Sequence, residues 1–270
     1  VKINTRKVKS HKTAKGKAPL SMLTAYDFQT AQLLNESELD MILVGDSVGN
    51  VILGYDTTVE VTLDEMITFG AAVKRGAPNK FTIVDLPFGT YSTLESGLKN
   101  AIQLFQKTKV EALKLEGASD TFCELISRCT EIGIPIMGHL GLTPQSVHQQ
   151  GGYFTHGKKE KEAERLLLSA LKLQKAGCFS IVLECVTPSL ARMITEELTI
   201  PTIGIGSGNV TDGQVLVIND LLQMGPTPPP SFCQPVADLY QLKRGLVSKY
   251  LDDLKVQAPQ AVKNVLPTQQ

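Results

Sequence analysis

The chain has 270 residues, room for one large domain or two average ones, and its 42% hydrophobic and 20% charged content suits a globular protein with a substantial core. Lys plus Arg and Asp plus Glu both number 27, so no overall field favours nucleic acid or an anionic membrane, and no apolar run approaches the roughly 18 residues of a membrane span. Five cysteines without a C-x-x-C pair argue against a disulfide framework or a zinc site, and for free thiols in a reducing compartment.

Residues 1–17 carry seven Lys or Arg and no acid. A transit peptide can look like this, but the excess of Lys over Arg favours a short basic helix capping a barrel, and 1–19 is taken as that segment. A first strand is predicted over 20–25, and a helix over 27–37 with Asp27 as its N-cap. A second strand spans 41–46. Residues 47–62 carry glycines and read as a loop. The helix over 63–75 places Asp64 and Glu65 in its first turn, where the dipole favours acids. Strands over 81–85, 111–116 and 135–139 then alternate with helices over 93–107 and 119–131. A polar loop over 141–157 precedes the longest helix, 158–176. Strand 180–184, helix 189–197, strand 201–205 and an apolar run over 214–219 follow, with a closing helix over 239–256. Such alternation means a parallel sheet with helices outside, and nearly eight units favour a closed (β/α)8 TIM barrel over an open doubly wound sheet. The fold class is α/β, with the barrel domain over 20–257 and a polar tail over 258–270 that need not be ordered.

Four of the predicted strands end in an acid: Asp46, Asp85, Glu116 and Glu184. A carboxylate is costly inside a strand buried on both faces, but it is tolerated at the strand's C-terminal end, which in a parallel barrel is the active-site rim. Acids that converge there repel one another unless a cation or a proton joins them, and Mg²⁺ is the simplest hard cation for oxygen ligands. A helix cap or a surface salt bridge explains one such acid equally well. Four in one topological position weaken that explanation. Asp46 and Asp85 are the best metal candidates, with Glu116 longer and able to reach the ion directly or through water.

Lys114 and Glu116 are i, i+2 and share a face. Lys114 is preferred as a charge-balancing partner over a Schiff-base lysine. For His139 a structural and a catalytic role are balanced. Glu184 sits between Leu183 and Cys185, and an apolar setting would suit a general base. Cys185 reads as a small buried hydrophobe before it reads as a nucleophile. His148 and His156 read as part of a solvated loop or lid. Gly204, Gly206 and Gly208 are followed by Asn209, so they do not make a dinucleotide fingerprint.

Long motifs in this sequence resemble the ketopantoate hydroxymethyltransferase (3-methyl-2-oxobutanoate hydroxymethyltransferase) family. They include Leu23-Thr24-Ala25-Tyr26-Asp27, Val44-Gly45-Asp46-Ser47, Asp85-Leu86-Pro87-Phe88 and Lys114-Leu115-Glu116-Gly117. Gly138-His139-Leu140-Gly141-Leu142-Thr143-Pro144-Gln145-Ser146 and Gly204-Ile205-Gly206-Ser207-Gly208-Asn209 belong with them, and the match covers about residues 5–222. The resemblance implies a barrel of the phosphoenolpyruvate/pyruvate superfamily type. It implies transfer of a hydroxymethyl group from the co-substrate 5,10-methylenetetrahydrofolate to 3-methyl-2-oxobutanoate through a Mg²⁺-stabilised enolate, giving 2-dehydropantoate, the first step towards pantothenate and coenzyme A. It implies that Asp46, Asp85 and Glu116 are at the metal, that Ser47 and Lys114 contact the keto acid, that His139 lies in the substrate pocket and that Glu184 accepts the proton. A cytoplasmic homodecamer is the usual family form, with no nucleic-acid or membrane partner. Ser207 stands where the family more often has Ala, and from Met224 the usual ending is not recognisable. The alternatives are another Mg²⁺-dependent 2-oxo acid lyase on the same barrel and a non-catalytic ligand-binding barrel.

Overall fold

The computed structural model describes residues 3–12 and 18–257, so the tail expected over 258–270 lies outside the described residues. Eight parallel strands close on themselves in chain order. They are β1 (Leu20–Thr24), β2 (Met41–Val44), β3 (Phe81–Asp85), β4 (Ala112–Glu116), β5 (Ile136–Gly141), β6 (Ser180–Glu184), β7 (Thr202–Ile205) and β8 (Gly213–Leu216), and β8 pairs back to β1. Helix α1 (Thr5–His11) precedes the barrel. Between the strands run α2 (Phe28–Glu36), α3 (Leu63–Gly76), α4 (Leu94–Thr108), α5 (Asp120–Glu131), the single turn α6 (Val147–Gln150), α7 (Glu160–Ala176) and α8 (Pro188–Glu197). The starts of α2 and α3 follow the expected capping chemistry. The Asp27 carboxylate accepts from Thr30 N at 2.8 Å, and Thr62 and Glu65 cap α3 reciprocally. Among the described residues no helix is long and apolar enough to cross a membrane.

Side chains alternate between the two faces of a strand, and one face fills the barrel. Met41 and Leu43, Phe81 and Ile83, Ala112, Met137, Phe179, Val182, Ile203 and Val215 form this interior cluster. Phe81 and Phe179 meet edge to face, with ring centroids 5.7 Å apart. Val8 of α1 is fully buried in the same cluster and Ile3 packs against it. Continuing the period of two along β3 and β4 leads from Phe81 and Ile83 to Asp85, and from Ala112 to Lys114 and Glu116. The inward column is apolar at its start and ionisable at its C-terminal end.

Three stretches differ from the sequence expectations. Residues 47–62 are not an open loop: a π-helical turn (Gly49–Leu53) is closed by left-handed Gly54, and a 3₁₀ turn (Thr58–Glu60) follows. Both are too short to leave a hydrophobic period. The 141–157 segment likewise holds a 3₁₀ turn (Pro144–Ser146) and α6. The segment 20–257, expected as a single barrel domain, divides at Ile218. Val1–Ile218 is one compact unit holding all eight strands, and Asn219–Gln270 is a second. In the second unit Leu239 N donates to Leu222 O, at the start of the helix Leu239–Gln257.

Gly141 ends β5 at φ +96, and a Cβ built there would stand 2.2 Å from Glu184 O and 2.6 Å from Val186 Cγ2. Gly141→Ala is therefore expected to destabilise the protein by more than the roughly 1–2 kcal/mol that a left-handed backbone costs alone. Calorimetry reads this as a lower melting temperature. A variant as stable as the parent would contradict the close approach of β5 to the exit of β6.

Candidate active site

Strand register assembles the site. Asp85 is the register partner of Lys114, Glu116 of His139, and Gly141 of Glu184. Asp46 lies two residues beyond β2, and its backbone N–H donates to Asp85 Oδ2 at 3.1 Å. A cavity of about 90 Å³ is lined by Asp46, Ser47, Asp85, Lys114, Glu116, His139 and Glu184, so every candidate from the sequence borders one space. A much larger groove of about 1060 Å³ runs between Ile3, Lys7, Leu20 and Asp40. It lies where the strands begin, the end of a parallel barrel that serves stability.

Four carboxylates face two cationic side chains. Lys114 Nζ lies 3.0 Å from Asp85 Oδ1, His139 Nδ1 lies 3.2 Å from Glu116 Oε1, and His139 Nε2 lies 3.2 Å from Glu184 Oε2. These are close ion-pair distances but not aligned hydrogen bonds, since Asp85 Oδ1, Glu116 Oε1 and His139 Nε2 all lack a hydrogen-bond partner among the described residues. Burial, then the charges of Glu116 and Asp85, push the Asp46 carboxyl well above its usual range. Burial also pushes Asp85 up against the pull of Lys114. Burial acts the same way on Glu116, but His139, Lys114 and the Gln145 N–H outweigh it and hold that carboxyl low. Burial and Lys114 work against the His139 imidazolium, yet Glu116 and Glu184 prevail and lift it to about 9. Lys114 Nζ stands 3.3 Å from His139 Nδ1, a like-charge contact at neutral pH that the flanking carboxylates compensate.

Several expectations need correction. Glu184 does not stand in an apolar setting: its carboxylate faces His139. His156 is not solvated. It is buried, its Nδ1 is 2.9 Å from Glu162 Oε1, and its N–H donates to Cys185 O. Cys185 is only half-buried, but burial and then Glu184 push its thiol up to about 11, so a thiolate nucleophile is disfavoured. His148 lies in α6 rather than in a loop, and it is exposed.

Three residues were not singled out in the sequence. Tyr26 OH is 2.7 Å from Ser47 Oγ. Gln145 and Tyr91 are buried beside Asp46 and Glu116. The Tyr26-Asp27 motif at the end of β1 was a usable signal for Tyr26. Tyr91 had none, because its contacts join segments distant in sequence. Ser207 donates from Oγ to Leu183 O and accepts from Val186 N, which pins the chain on both sides of Glu184.

A closed ring of eight parallel strands with buried acids and bases at its carboxyl rim defines a (β/α)8-barrel enzyme. The solved structure of 2,3-dimethylmalate lyase, a PEP mutase/isocitrate lyase superfamily member, matches with a TM-score of 0.55 at 16% identity, over 97% of this chain and 92% of that one. Phosphonopyruvate hydrolase in complex with oxalate and Mg²⁺ matches with 0.61 at 10% identity, over 98% and 92%. At these identities the likeness shows the fold. The family model described as ketopantoate hydroxymethyltransferase matches residues 2–260. The 3-methyl-2-oxobutanoate hydroxymethyltransferase of Thermosipho africanus is 48% identical over 242 residues, 89% of this chain and 91% of that protein. The chain belongs to the ketopantoate hydroxymethyltransferase family, and it is an enzyme of that one-carbon-transferase class.

Proposed function

We propose that the enzyme takes its one-carbon unit from 5,10-methylenetetrahydrofolate and joins it to C3 of 3-methyl-2-oxobutanoate. The product is 2-dehydropantoate, at the start of pantothenate and coenzyme A synthesis. The same reading gives one Mg²⁺ per subunit, held by Asp46, Asp85 and Glu116, and a homodecamer working in the cytoplasm.

The observation that carries it is the buried, under-bonded carboxylate cluster beside Lys114. Its oxygen donors suit a hard divalent cation. Asp85 Oδ1 and Glu116 Oε1 make no aligned hydrogen bond, although the Lys114 ammonium and the His139 ring stand 3.0 and 3.2 Å away, and the cluster's acids outnumber its bases. Among the described residues no three His, Cys, Asp or Glu side chains form a ready-made cage. Mg²⁺ usually takes one or two carboxylates and fills its other positions with water and substrate oxygens, so a site completed by substrate fits. Once bound, the ion supplies Lewis-acid polarisation of the substrate's keto group.

The chain's own residues do the rest. Lys114 and Ser47 hold the substrate carboxylate, with Tyr26 orienting the Ser47 hydroxyl. Glu184 removes the C3 proton, and His139 holds that carboxylate in place. Lys114 also meets the negative charge that develops as the proton leaves, so it favours the transition state over the ground state. The carbon nucleophile then bonds to the methylene carbon, both C–N bonds of that unit break, water supplies the hydroxyl oxygen of the product, and tetrahydrofolate leaves.

Exchange of the C3 proton into deuterium oxide, with and without tetrahydrofolate, tests this reading together with assay of 2-dehydropantoate. Exchange is expected to stop on chelation and return with Mg²⁺, and product is expected only when the methylene folate is present. Folate-indifferent cleavage of a 2-oxo acid would instead identify a lyase.

A further inference from the structure

We propose that Gln145 is the positioning residue of the carboxylate cluster, the point at which the segment after β5 sets the direction of both Asp46 and Glu116. This rests on the metal site read above. Gln145 is buried, and its Nε2 donates to Asp46 Oδ2 at 2.8 Å and to Leu86 O at 3.0 Å. Its backbone N–H donates to Glu116 Oε2 at 3.1 Å. Its Oε1 accepts from the Tyr91 hydroxyl, which in turn accepts from Glu116 N at 3.4 Å. One residue thus joins the chain just past β2, just past β3 and at the end of β4.

The amide has one workable orientation. Two acceptors face its NH₂ and a phenol O–H faces its carbonyl, so a flipped amide would set oxygen against oxygen on one side. Tyr91 therefore fixes Gln145, and Gln145 fixes Asp46. The oxygens that Gln145 occupies are Asp46 Oδ2 and Glu116 Oε2. Fixing one oxygen of a carboxylate fixes where the other points, and Glu116 Oε1 is an oxygen left without a hydrogen bond. Outer partners of this kind orient metal ligands, and losing one typically weakens metal affinity or activity roughly 10–100-fold.

The test is Mn²⁺ binding by the purified full chain, followed through the electron paramagnetic resonance signal of free Mn²⁺, with the metal-free melting temperature as the control for folding. Gln145→Met keeps the length of the side chain and removes its donors and acceptor. It is expected to raise the Mn²⁺ Kd roughly 10–100-fold, and excess Mg²⁺ is expected to restore turnover. A role confined to packing would lower the melting temperature and leave the Mn²⁺ Kd alone, which would overturn the proposal. So would lost turnover that excess Mg²⁺ does not restore. Should Gln145→Met fail to fold, Tyr91→Phe decides. It removes a single hydroxyl and is expected to weaken Mn²⁺ binding roughly 2–10-fold, and an unchanged Kd overturns the assignment. If the parent chain itself binds no Mn²⁺, the metal reading falls and takes this proposal with it. If the parent binds and both variants match it, the positioning role alone falls.

Discussion

Lys114→Met is expected to destabilise the metal-free protein by about 3–5 kcal/mol, a drop in melting temperature on the order of 10 °C, and to abolish turnover. Lys114 and Asp85 are both almost wholly buried and 3.0 Å apart. Burial works against the charged amine, but Asp85, Glu116 and Asp46 together raise its pKa and keep it protonated. Methionine fills the space and removes the charge, leaving a buried carboxylate cluster with His139 as its remaining cation. Removing one partner of a buried pair costs far more than the pair contributes, because the other charge is stranded.

The deficit should depend on pH in a definite direction. Asp46 and Asp85 have folded pKa values above their ordinary ones. Groups shifted upward favour the folded state while protonated, and that contribution fades as pH rises through the folded value. The variant should therefore lose most at neutral and alkaline pH and approach the parent in acid, where the carboxyls are neutral. Millimolar Mg²⁺ should recover part of the loss if a divalent cation joins the same oxygens. Thermal melts in chelator and in Mg²⁺ across this range are the measurement. A variant as stable as the parent at neutral pH would mean that the cluster is already neutral and that Lys114 compensates nothing.

Much of this site was legible because strands impose a strict period. An acid at the end of a doubly buried strand has few structural explanations, and Lys114 and Glu116 two residues apart must share a face. The register then turned neighbouring strands into neighbouring charges, with Asp85 beside Lys114 and Glu116 beside His139. What stayed hidden was set by contacts between remote segments. Gln145 lies 99 positions from Asp46, and no local pattern marks a glutamine as a donor to a particular carboxylate. His156 looked like a loop residue because its neighbours are polar. It is buried because its backbone pairs with the chain leaving β6. Leu183 and Cys185, which flank Glu184 in sequence, suggest an apolar setting, but the side chains of the neighbouring strand β5 decide its surroundings, and His139 is one of them. The closing helix expected over 239–256 falls in the second unit, because amphipathic spacing cannot say which compact unit a helix belongs to.

Glu184→Gln is expected to slow exchange of the C3 proton by roughly 10²–10⁴-fold while metal and keto-acid binding persist. The assignment rests on access as much as on position. Asp46, Asp85 and Glu116 are almost completely buried, whereas the Glu184 side chain retains 17% of its exposure and borders the cavity. The buried acids are engaged elsewhere: Asp85 with Lys114, Glu116 with His139, and Asp46 with Gln145. Glutamine keeps the size of Glu184 and its contact with His139, so the change removes the proposed proton acceptor with little effect on shape. His139 provides the contrast. An imidazolium between Glu116 and Glu184 cannot take a further proton, so it can orient the base but cannot replace it. His139→Asn should therefore slow exchange less than Glu184→Gln does. If the order were reversed, with His139→Asn silencing exchange and Glu184→Gln sparing it, proton removal would belong to the imidazole, and the balance of charges that holds His139 protonated would have to be different from the one the strand register builds.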